Sequence, residues 1–185
     1  AKRTIVAIDG PCGSGKSTLA SLLQSAYDCS IFPTDHFFLR PELKTPERLK
    51  EVGGNFDYQR FKKEIIGPLK SGKPFRYRIY DCSTQTLHWS SLIQPKRLVV
   101  VEGSYSMHPT LVENYDLKIF LEVSPKIQQA RILKRNGPKM LPRFLNAWIP
   151  LENEYFAVLG IKQQCDLVFR TDALTKTEVL NQKPN

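Results

Sequence analysis

Short apolar stretches alternate with helix-forming stretches along most of the chain. The stretches that predict β-strands are Thr4 to Ile8, Ser30 to Pro33, Leu98 to Val101, Asp116 to Val123 and Leu167 to Phe169. The stretches that predict helices are Thr18 to Ala26, Tyr58 to Ile66, Ser124-Pro125 to about Arg135, and Leu151 to Gln164. Gly67-Pro68 is expected to end or kink the second helix, because proline lacks the N–H that a helix interior needs.

This alternation predicts an α/β fold. The run Leu98 to Val101 is uninterrupted and rich in valine, as expected for a strand that helices cover on both faces. Strands that alternate with helices favour a mostly parallel, five-stranded sheet between two helical layers. Active sites in such sheets lie at the carboxyl ends of the strands.

The junction between the first strand and the first helix carries a phosphate-binding motif. The residues are Gly10, Pro11, Cys12, Gly13, Ser14, Gly15, Lys16 and Ser17, followed by Thr18, and they fit the pattern G-x-x-x-x-G-K-[ST]. Backbone N–H groups of such a loop bind phosphate oxygens, and the following helix adds its positive dipole end. Lys16 is predicted to contact the β- and γ-phosphates of ATP, and the Ser17 hydroxyl to bind Mg²⁺. The predicted fold is therefore a P-loop NTPase three-layer sandwich.

Two carboxylates follow predicted strands and suit phosphoryl transfer. Glu102 comes directly after the buried run at 98–101, where a Walker-B type acid would hold Mg²⁺. Asp35 follows the second strand and is a candidate to accept the proton of an alcohol. Either carboxylate could instead cap the turn that follows it.

Two aromatic–acid pairs are candidates for the acceptor side. Phe56-Asp57 and Tyr80-Asp81 are each predicted on a loop. A ring and a carboxylate together can hold a flat base and its ribose, although either pair alone is more often a turn beside a half-buried ring.

Basic residues concentrate near the end of the third predicted helix, which runs from Ser124-Pro125 to about Arg135. Arg131 and Arg135 lie four positions apart, on one face of a predicted helix, and are candidates to neutralise charge on the transferred phosphoryl group. A flexible turn at Asn136-Gly137-Pro138 follows. Residues of about 131–150 are therefore predicted to form a short basic lid, although such runs are commonly solvated helix faces.

Composition bounds the class of protein. With 185 residues, 41% of them hydrophobic, the chain suits a single kinase domain over 1–185. The four cysteines have no metal-ligand spacing, and no signal peptide or membrane-spanning run is found, so we expect a reduced, cytoplasmic protein without a membrane partner. Cys12 lies beside a helix N-terminus, where a thiol could be acidified. The polar stretch Thr175 to Asn185 is expected to fray at its end.

The formal charge of +9 raises the question of a nucleic-acid partner. The positive residues are spread along the chain and do not form one tract with interleaved aromatic residues, which argues against that partner. Binding a polyanionic nucleotide also needs positive charge. A kinase acting on nucleic acid stays an alternative. A GTPase is disfavoured because the chain has neither N-K-x-D nor a D-x-x-G after the third strand.

Taken in order, these segments resemble the phosphoribulokinase/uridine kinase family of P-loop kinases. The resemblance rests on Gly10 to Thr18, Thr34-Asp35-His36-Phe37-Phe38, Asn55-Phe56-Asp57, Leu69 to Pro74, Tyr80-Asp81 and Val100-Val101-Glu102-Gly103. It implies a small-molecule kinase with Asp35 as catalytic base, Asp57 holding a ribose, and Phe56 and Tyr80 lining a base pocket. It also implies that an inserted region of about 36–90 binds the acceptor.

The chain departs from the uridine kinases at two places. After Tyr80-Asp81 it has Cys82-Ser83-Thr84-Gln85 where they carry an aromatic residue and a histidine, and its lid is shortened. Gln85 keeps donor and acceptor atoms that could read a base edge. The expected acceptor is a nucleoside, with pantothenate or a sugar phosphate as alternatives, and a homo-oligomer stays open.

Overall fold

The computed structural model describes residues 3–173, and the core of that part is a five-stranded parallel sheet. Its strands are β1 (Thr4–Asp9), β2 (Cys29–Pro33), β5 (Leu98–Glu102), β6 (Leu117–Glu122) and β7 (Leu167–Arg170), in the order β2-β5-β1-β6-β7. A separate antiparallel hairpin joins β3 (Arg78–Asp81) to β4 (Thr86–Trp89). The predicted α/β fold with a parallel sheet is confirmed. The expected fraying within 175–185 lies outside the described residues.

Seven helical segments surround the sheet in the described part of the chain. They are α1 (Lys16–Ala26), α2 (Pro46–Lys50), α3 (Tyr58–Phe61), α4 (Gly67–Ser71), α5 (Pro125–Asn136), α6 (Leu141–Arg143) and α7 (Ile149–Val158). None of these helices is both long and apolar enough to cross a bilayer.

Two wide π turns mark the places where proline enters a helix. Lys62–Ile66 joins α3 to α4 just before Pro68, and Phe144–Trp148 joins α6 to α7 just before Pro150. Proline cannot donate to the preceding turn of the helix, and a local π turn is one way in which a helix absorbs such a defect. The helix predicted to end or kink at Gly67-Pro68 therefore continues to Ser71.

The sheet buries both of its faces. Along β1 the side chains of Val6 and Ile8 join one apolar cluster, which includes Ala20 of α1, whereas Ala7 joins the cluster on the other face. This is the two-residue alternation that a strand imposes. The second cluster is larger because the segment 36–90 packs on that face, with Phe61 among its fully buried rings.

Two local predictions need correction. Tyr80 and Asp81 belong to strand β3, not to a loop. Each strand of the hairpin is only four residues long, which is too short for its pattern to identify it from the sequence. The helix predicted from Leu151 to Gln164 ends at Val158. Gly160, with φ of +58°, turns the chain in the left-handed region, which a helix interior does not use.

Candidate active site

The phosphate-binding loop runs from the end of β1 to the start of α1. Gly10 has φ of +144°, and a Cβ on it would lie 2.4 Å from the Leu121 carbonyl oxygen, so that position requires glycine. The Lys16 ammonium donates to the carbonyls of Gly10 at 2.7 Å and Pro11 at 2.9 Å. These bonds hold the lysine in the curve of the loop, within reach of an anion that binds there.

Ser17 and Glu102 meet beside the loop. The Ser17 hydroxyl lies 3.2 Å and 3.3 Å from the two carboxylate oxygens of Glu102, which stands at the carboxyl end of β5. Burial, and then the charge of Asp35, raise the pKa of the Glu102 carboxyl above its usual range. A cation bound here would favour the ionised form.

These oxygen donors fit Mg²⁺. Magnesium prefers oxygen ligands and in phosphoryl-transfer sites uses one or two carboxylates together with substrate phosphates. One hydroxyl and one buried carboxylate, with Asp35 near them, match that arrangement. The described residues hold no cluster of three or more acidic, histidine or cysteine side chains that would form a complete metal cage by itself.

Asp35 lies in a 3-10 turn, Thr34–Phe37, directly after β2. The turn is anchored by the Thr34 hydroxyl, which donates to the Ser104 carbonyl at 2.8 Å. A Cβ on Gly103 would lie 2.0 Å from that hydroxyl oxygen, so this close approach requires glycine. The Asp35 side chain is exposed and faces the same cavity as Lys16 and Glu102. An exposed carboxylate at this place can accept a proton from an acceptor hydroxyl.

One cavity of about 690 Å³ connects these groups. The residues that line it include Gly13, Gly15, Lys16, Ser17, Thr18, Asp35, Phe38, Lys44, Asn55, Tyr80, Cys82, Gln85, Glu102, Arg131, Arg135, Arg143, Trp148 and Glu152. Its size suits a nucleotide and a small acceptor together.

Four residues were expected to contact the base or the ribose of the acceptor, and only two of them line the cavity. Tyr80 and Gln85 line the cavity, whereas Phe56 and Asp57 do not. Phe56 is fully buried, and its ring packs against Phe61 at a centroid distance of 5.6 Å.

Asp57 is held inside the protein by its own helix. Its carboxylate accepts from the backbone N–H of Arg60 at 3.1 Å and pairs with the guanidinium of that arginine at 3.3 Å. A buried ring and a buried ion pair leave no surface for a base or a ribose. The structure therefore does not bring Phe56 and Asp57 to the cavity lining, and both are buried within the region of residues 36–90.

The two predicted lid arginines differ. Arg131 donates to the carbonyl of Gly13 at 3.1 Å and to the carbonyl and hydroxyl oxygens of Thr171, so it ties the loop to the end of β7. Arg135 is exposed, lines the cavity and donates only to Asn136, at 2.8 Å. Arg135 is therefore the better placed of the two to meet phosphate charge.

Glu152 of α7 is a site residue that the sequence reasoning missed. Its side chain is buried and accepts from the Cys12 backbone N–H at 2.9 Å and from the Ser104 hydroxyl at 2.7 Å. Gln128 of α5 holds the same part of the loop, because its amide donates to the Cys12 carbonyl at 2.9 Å. Glu152 lies within the helix predicted from Leu151 to Gln164, but nothing in the sequence linked that helix to the phosphate-binding loop.

These contacts decide the state of the Cys12 thiol. Burial, and then the charge of Glu152, raise the pKa of Cys12 to about 12. The prediction that the helix N-terminus lowers the pKa of this thiol is thus wrong, because desolvation and a neighbouring carboxylate raise that pKa.

The buried Asp9 carboxylate, at the end of β1, holds the start of the phosphate-binding loop. Its carboxylate accepts from the N–H of Gly10 at 2.7 Å, from the N–H of Met107 at 2.9 Å and from the Tyr155 hydroxyl at 2.8 Å. Complete burial raises its pKa to about 6 in spite of these bonds.

Known proteins share this sequence pattern and fold. The model of the phosphoribulokinase/uridine kinase family matches residues 5–139. Among solved structures, a possible uridine kinase from Bacillus stearothermophilus is 19% identical, with a TM-score of 0.67, covering 91% of this chain and 89% of that one. A candidate fructose transport system kinase from Silicibacter sp. TM1040 is 24% identical, with a TM-score of 0.69 and coverages of 90% and 89%. At these identities the two structures show a common fold.

Proposed function

Because the chain belongs to the phosphoribulokinase/uridine kinase family of P-loop kinases, we propose that it transfers the γ-phosphoryl group of ATP to a hydroxyl of a small metabolite. The single observation that carries this proposal is the convergence of Lys16, Ser17, Asp35 and Glu102 on one cavity. Loop, metal ligands and proton acceptor are the parts that phosphoryl transfer to an alcohol needs.

The roles follow from the positions of these groups. Lys16 and the loop N–H groups bind the β- and γ-phosphates, and Arg135 adds positive charge from the lid side. Ser17 and Glu102 hold Mg²⁺, which when bound neutralises phosphate charge. Asp35 takes the proton of the acceptor hydroxyl as its oxygen bonds to phosphorus and the bond from phosphorus to the ADP oxygen breaks.

We assign the acceptor side to residues of about 36–90 and the lid to residues of about 131–150. Tyr80 and Gln85 from the first region and Arg143 and Trp148 from the second line the cavity. A nucleoside is the acceptor that the sequence favours, and the Tyr80 ring and Gln85 amide support it, since they can stack on a base and read its edge.

A second class of acceptor has structural support. Pantothenate, a sugar phosphate or a similar alcohol is favoured by the burial of Phe56 and Asp57, which removes one ring and the ribose-binding carboxylate from the expected nucleoside pocket. The similar structure from Silicibacter sp. TM1040 is described as a candidate fructose transport system kinase, so fructose is included among the acceptors to be tested.

The test is ADP release with ATP and Mg²⁺ against a panel of nucleosides, sugars, sugar phosphates and pantothenate, with identification of the phosphorylated product by mass spectrometry. We expect one chemical class to give turnover above the rate without acceptor. ADP release that no acceptor stimulates, with no phosphorylated product, would contradict the proposal. The Lys16→Ala variant serves as the blank for contaminating kinases.

A further inference from the structure

Two cations face the acceptor end of the cavity without a carboxylate partner. Lys44 and Arg143 line the cavity together with Asp35 and Cys82. Within residues 3–173, neither of the two forms an ion pair with an acidic side chain. By contrast, Arg40, which does not line the cavity, pairs with Glu42 at 2.9 Å. In that part of the chain, no acidic side chain pairs with either charge at the place where we propose that the acceptor binds.

The cations of the cavity divide between its two ends. The charges of Lys44, Arg143 and Asp35 all act on the thiol of Cys82, in the turn of the β3–β4 hairpin. The charge of Arg135 acts instead on Cys12, in the phosphate-binding loop. Arg135 thus lies near the phosphate-binding loop, whereas Lys44 and Arg143 lie near Asp35 and the hairpin turn, and all three line the same cavity.

The surroundings of both residues suit anion binding. The Arg143 guanidinium carbon lies 5.0 Å from the centroid of the Trp148 ring, a cation–π contact that orients the group without using its N–H donors. Lys44 follows the 3-10 turn Pro41–Leu43, and its backbone N–H bonds to the Pro41 carbonyl at 3.1 Å. Its exposed ammonium makes no hydrogen bond within the described part of the chain, so its donors are available to a ligand.

We propose that the acceptor carries an anionic group, a phosphate or a carboxylate, that Lys44 and Arg143 bind while its hydroxyl faces Asp35. A neutral acceptor would gain no charge-assisted hydrogen bond from these two exposed side chains, whereas a dianionic phosphate or a carboxylate would accept such bonds from both. This inference rests on the proposed function and narrows it, since it ranks anionic alcohols above a neutral nucleoside.

The experiment compares matched acceptors that differ by one anionic group: ribulose 5-phosphate against ribulose, glycerate against glycerol, and pantothenate against panthenol. Steady-state ADP release gives kcat and KM for each, and thermal shift of the ADP-loaded protein gives binding without turnover. We expect the anionic member of at least one pair to be preferred. The pair that shows the preference tells phosphate from carboxylate.

Variants of Lys44 and Arg143 test whether these two side chains cause the preference for an anionic acceptor. Lys44→Gln and Arg143→Gln should each raise the KM for the anionic acceptor by about tenfold to a hundredfold, the size of one lost charge-assisted hydrogen bond, and leave the KM for ATP within about twofold. Arg143→Lys should recover part of the loss. Lys50→Gln removes an exposed lysine outside the cavity lining and should change nothing.

The outcomes separate this inference from the proposed function. Equal use of charged and neutral partners, or a KM for ATP that rises in place of the KM for the acceptor, would overturn the inference while the kinase stands. Stabilisation by an anionic compound that depends on Lys44, without any phosphoryl transfer, would support the anion site and overturn the kinase proposal. No added stabilisation by any anionic member over its neutral partner would overturn the anion site.

Discussion

The Ser17 hydroxyl lies 3.2 Å and 3.3 Å from the two carboxylate oxygens of Glu102, across 85 positions of sequence. The contact exists because β1 and β5 are parallel neighbours whose ends align, with Ile8 opposite Glu102. A hydroxyl at the start of α1 and a carboxylate at the end of β5 are thereby brought together as the pair of oxygen groups that we propose would hold Mg²⁺.

Glu102→Gln should raise the Mg²⁺ concentration needed for half-maximal activity by about tenfold or more, because an amide oxygen replaces a charged ligand. In the parent, this Mg²⁺ requirement should also rise as the pH falls, since the raised pKa of Glu102 lets protons compete at a higher pH than for an ordinary glutamate. Magnesium titrations of ADP release at several pH values measure both effects.

The control for that experiment is Ser17→Thr, which keeps the hydroxyl and should keep the parent Mg²⁺ dependence. A Glu102→Gln enzyme that is saturated by the same Mg²⁺ concentration as the parent would show that Glu102 has another role.

Lys16→Ala should abolish phosphoryl transfer and leave the fold intact, because the Lys16 ammonium contacts only the Gly10 and Pro11 carbonyls of its own loop. Losing a charge on the transferred group removes several kcal/mol of transition-state stabilisation. Activity is measured by ADP release, and folding by circular dichroism and thermal melting. Lys134→Ala, an exposed change on α5, is the matched control. Activity within about threefold of the parent would contradict the assignment of residues 10–17 as the loop that binds the phosphates of ATP.

Asp35→Asn should lower kcat about a hundredfold or more with little change in the KM for ATP, because proton transfer at the acceptor is worth 10²–10⁴ in rate. Asp81→Asn is the control: that residue is half-buried and is not among the cavity-lining residues, and its carboxylate accepts from the Ser83 hydroxyl at 2.6 Å. A steep rise in the KM for ATP with an unchanged kcat would instead make Asp35 a ligand of the nucleotide or its metal.

The sequence predicted the parts of this fold and cavity that local patterns encode. A glycine loop between a strand and a helix, and an acid after a valine run, carry their geometry in a few adjacent residues. Because all five strands of the sheet are parallel, Asp35 and Glu102 reach the same edge without further information.

What failed depends on side-chain and strand pairings that no pattern in the sequence displays. Asp57 looked like a free carboxylate, but Arg60 neutralises it inside the protein. Glu152 contacts the loop from a helix 140 residues further along the chain, and no spacing rule links the two. The hairpin β3–β4 was missed because its four-residue strands form only by pairing with each other.

Glu152→Gln should make the Cys12 thiol more reactive. The charge of Glu152 is the second cause, after burial, of the high pKa of Cys12, so removing it lowers that pKa while the shape of the site is kept. We expect alkylation of Cys12 by iodoacetamide to accelerate several-fold, as followed by peptide mass spectrometry. Exposed Cys82 is the internal reference, and its rate should not change. An unaltered ratio of the two rates would show that burial alone protects Cys12.

Protonation of His108 at low pH is expected to lower the free energy of unfolding. Its ring is buried and stacks on Tyr58 at a centroid distance of 4.3 Å, and burial lowers its pKa from 6.5 to about 4. The unfolded chain therefore takes up a proton at a higher pH than the folded one. The stability that the neutral ring contributes is complete above about pH 6.5 and is lost as the pH falls through about 4.

Asp9 acts in the opposite sense, because its pKa is raised to about 6, so only a difference between variants isolates His108. Urea unfolding of the parent and of His108→Gln should give free energies whose difference changes by on the order of 2 kcal/mol between pH 7 and pH 4, with the parent losing more on acidification. His88→Gln, on the exposed side of β4, should track the parent throughout. If the two unfolding curves of parent and His108→Gln stay parallel over that range, His108 is protonated as easily in the folded protein as in the unfolded chain.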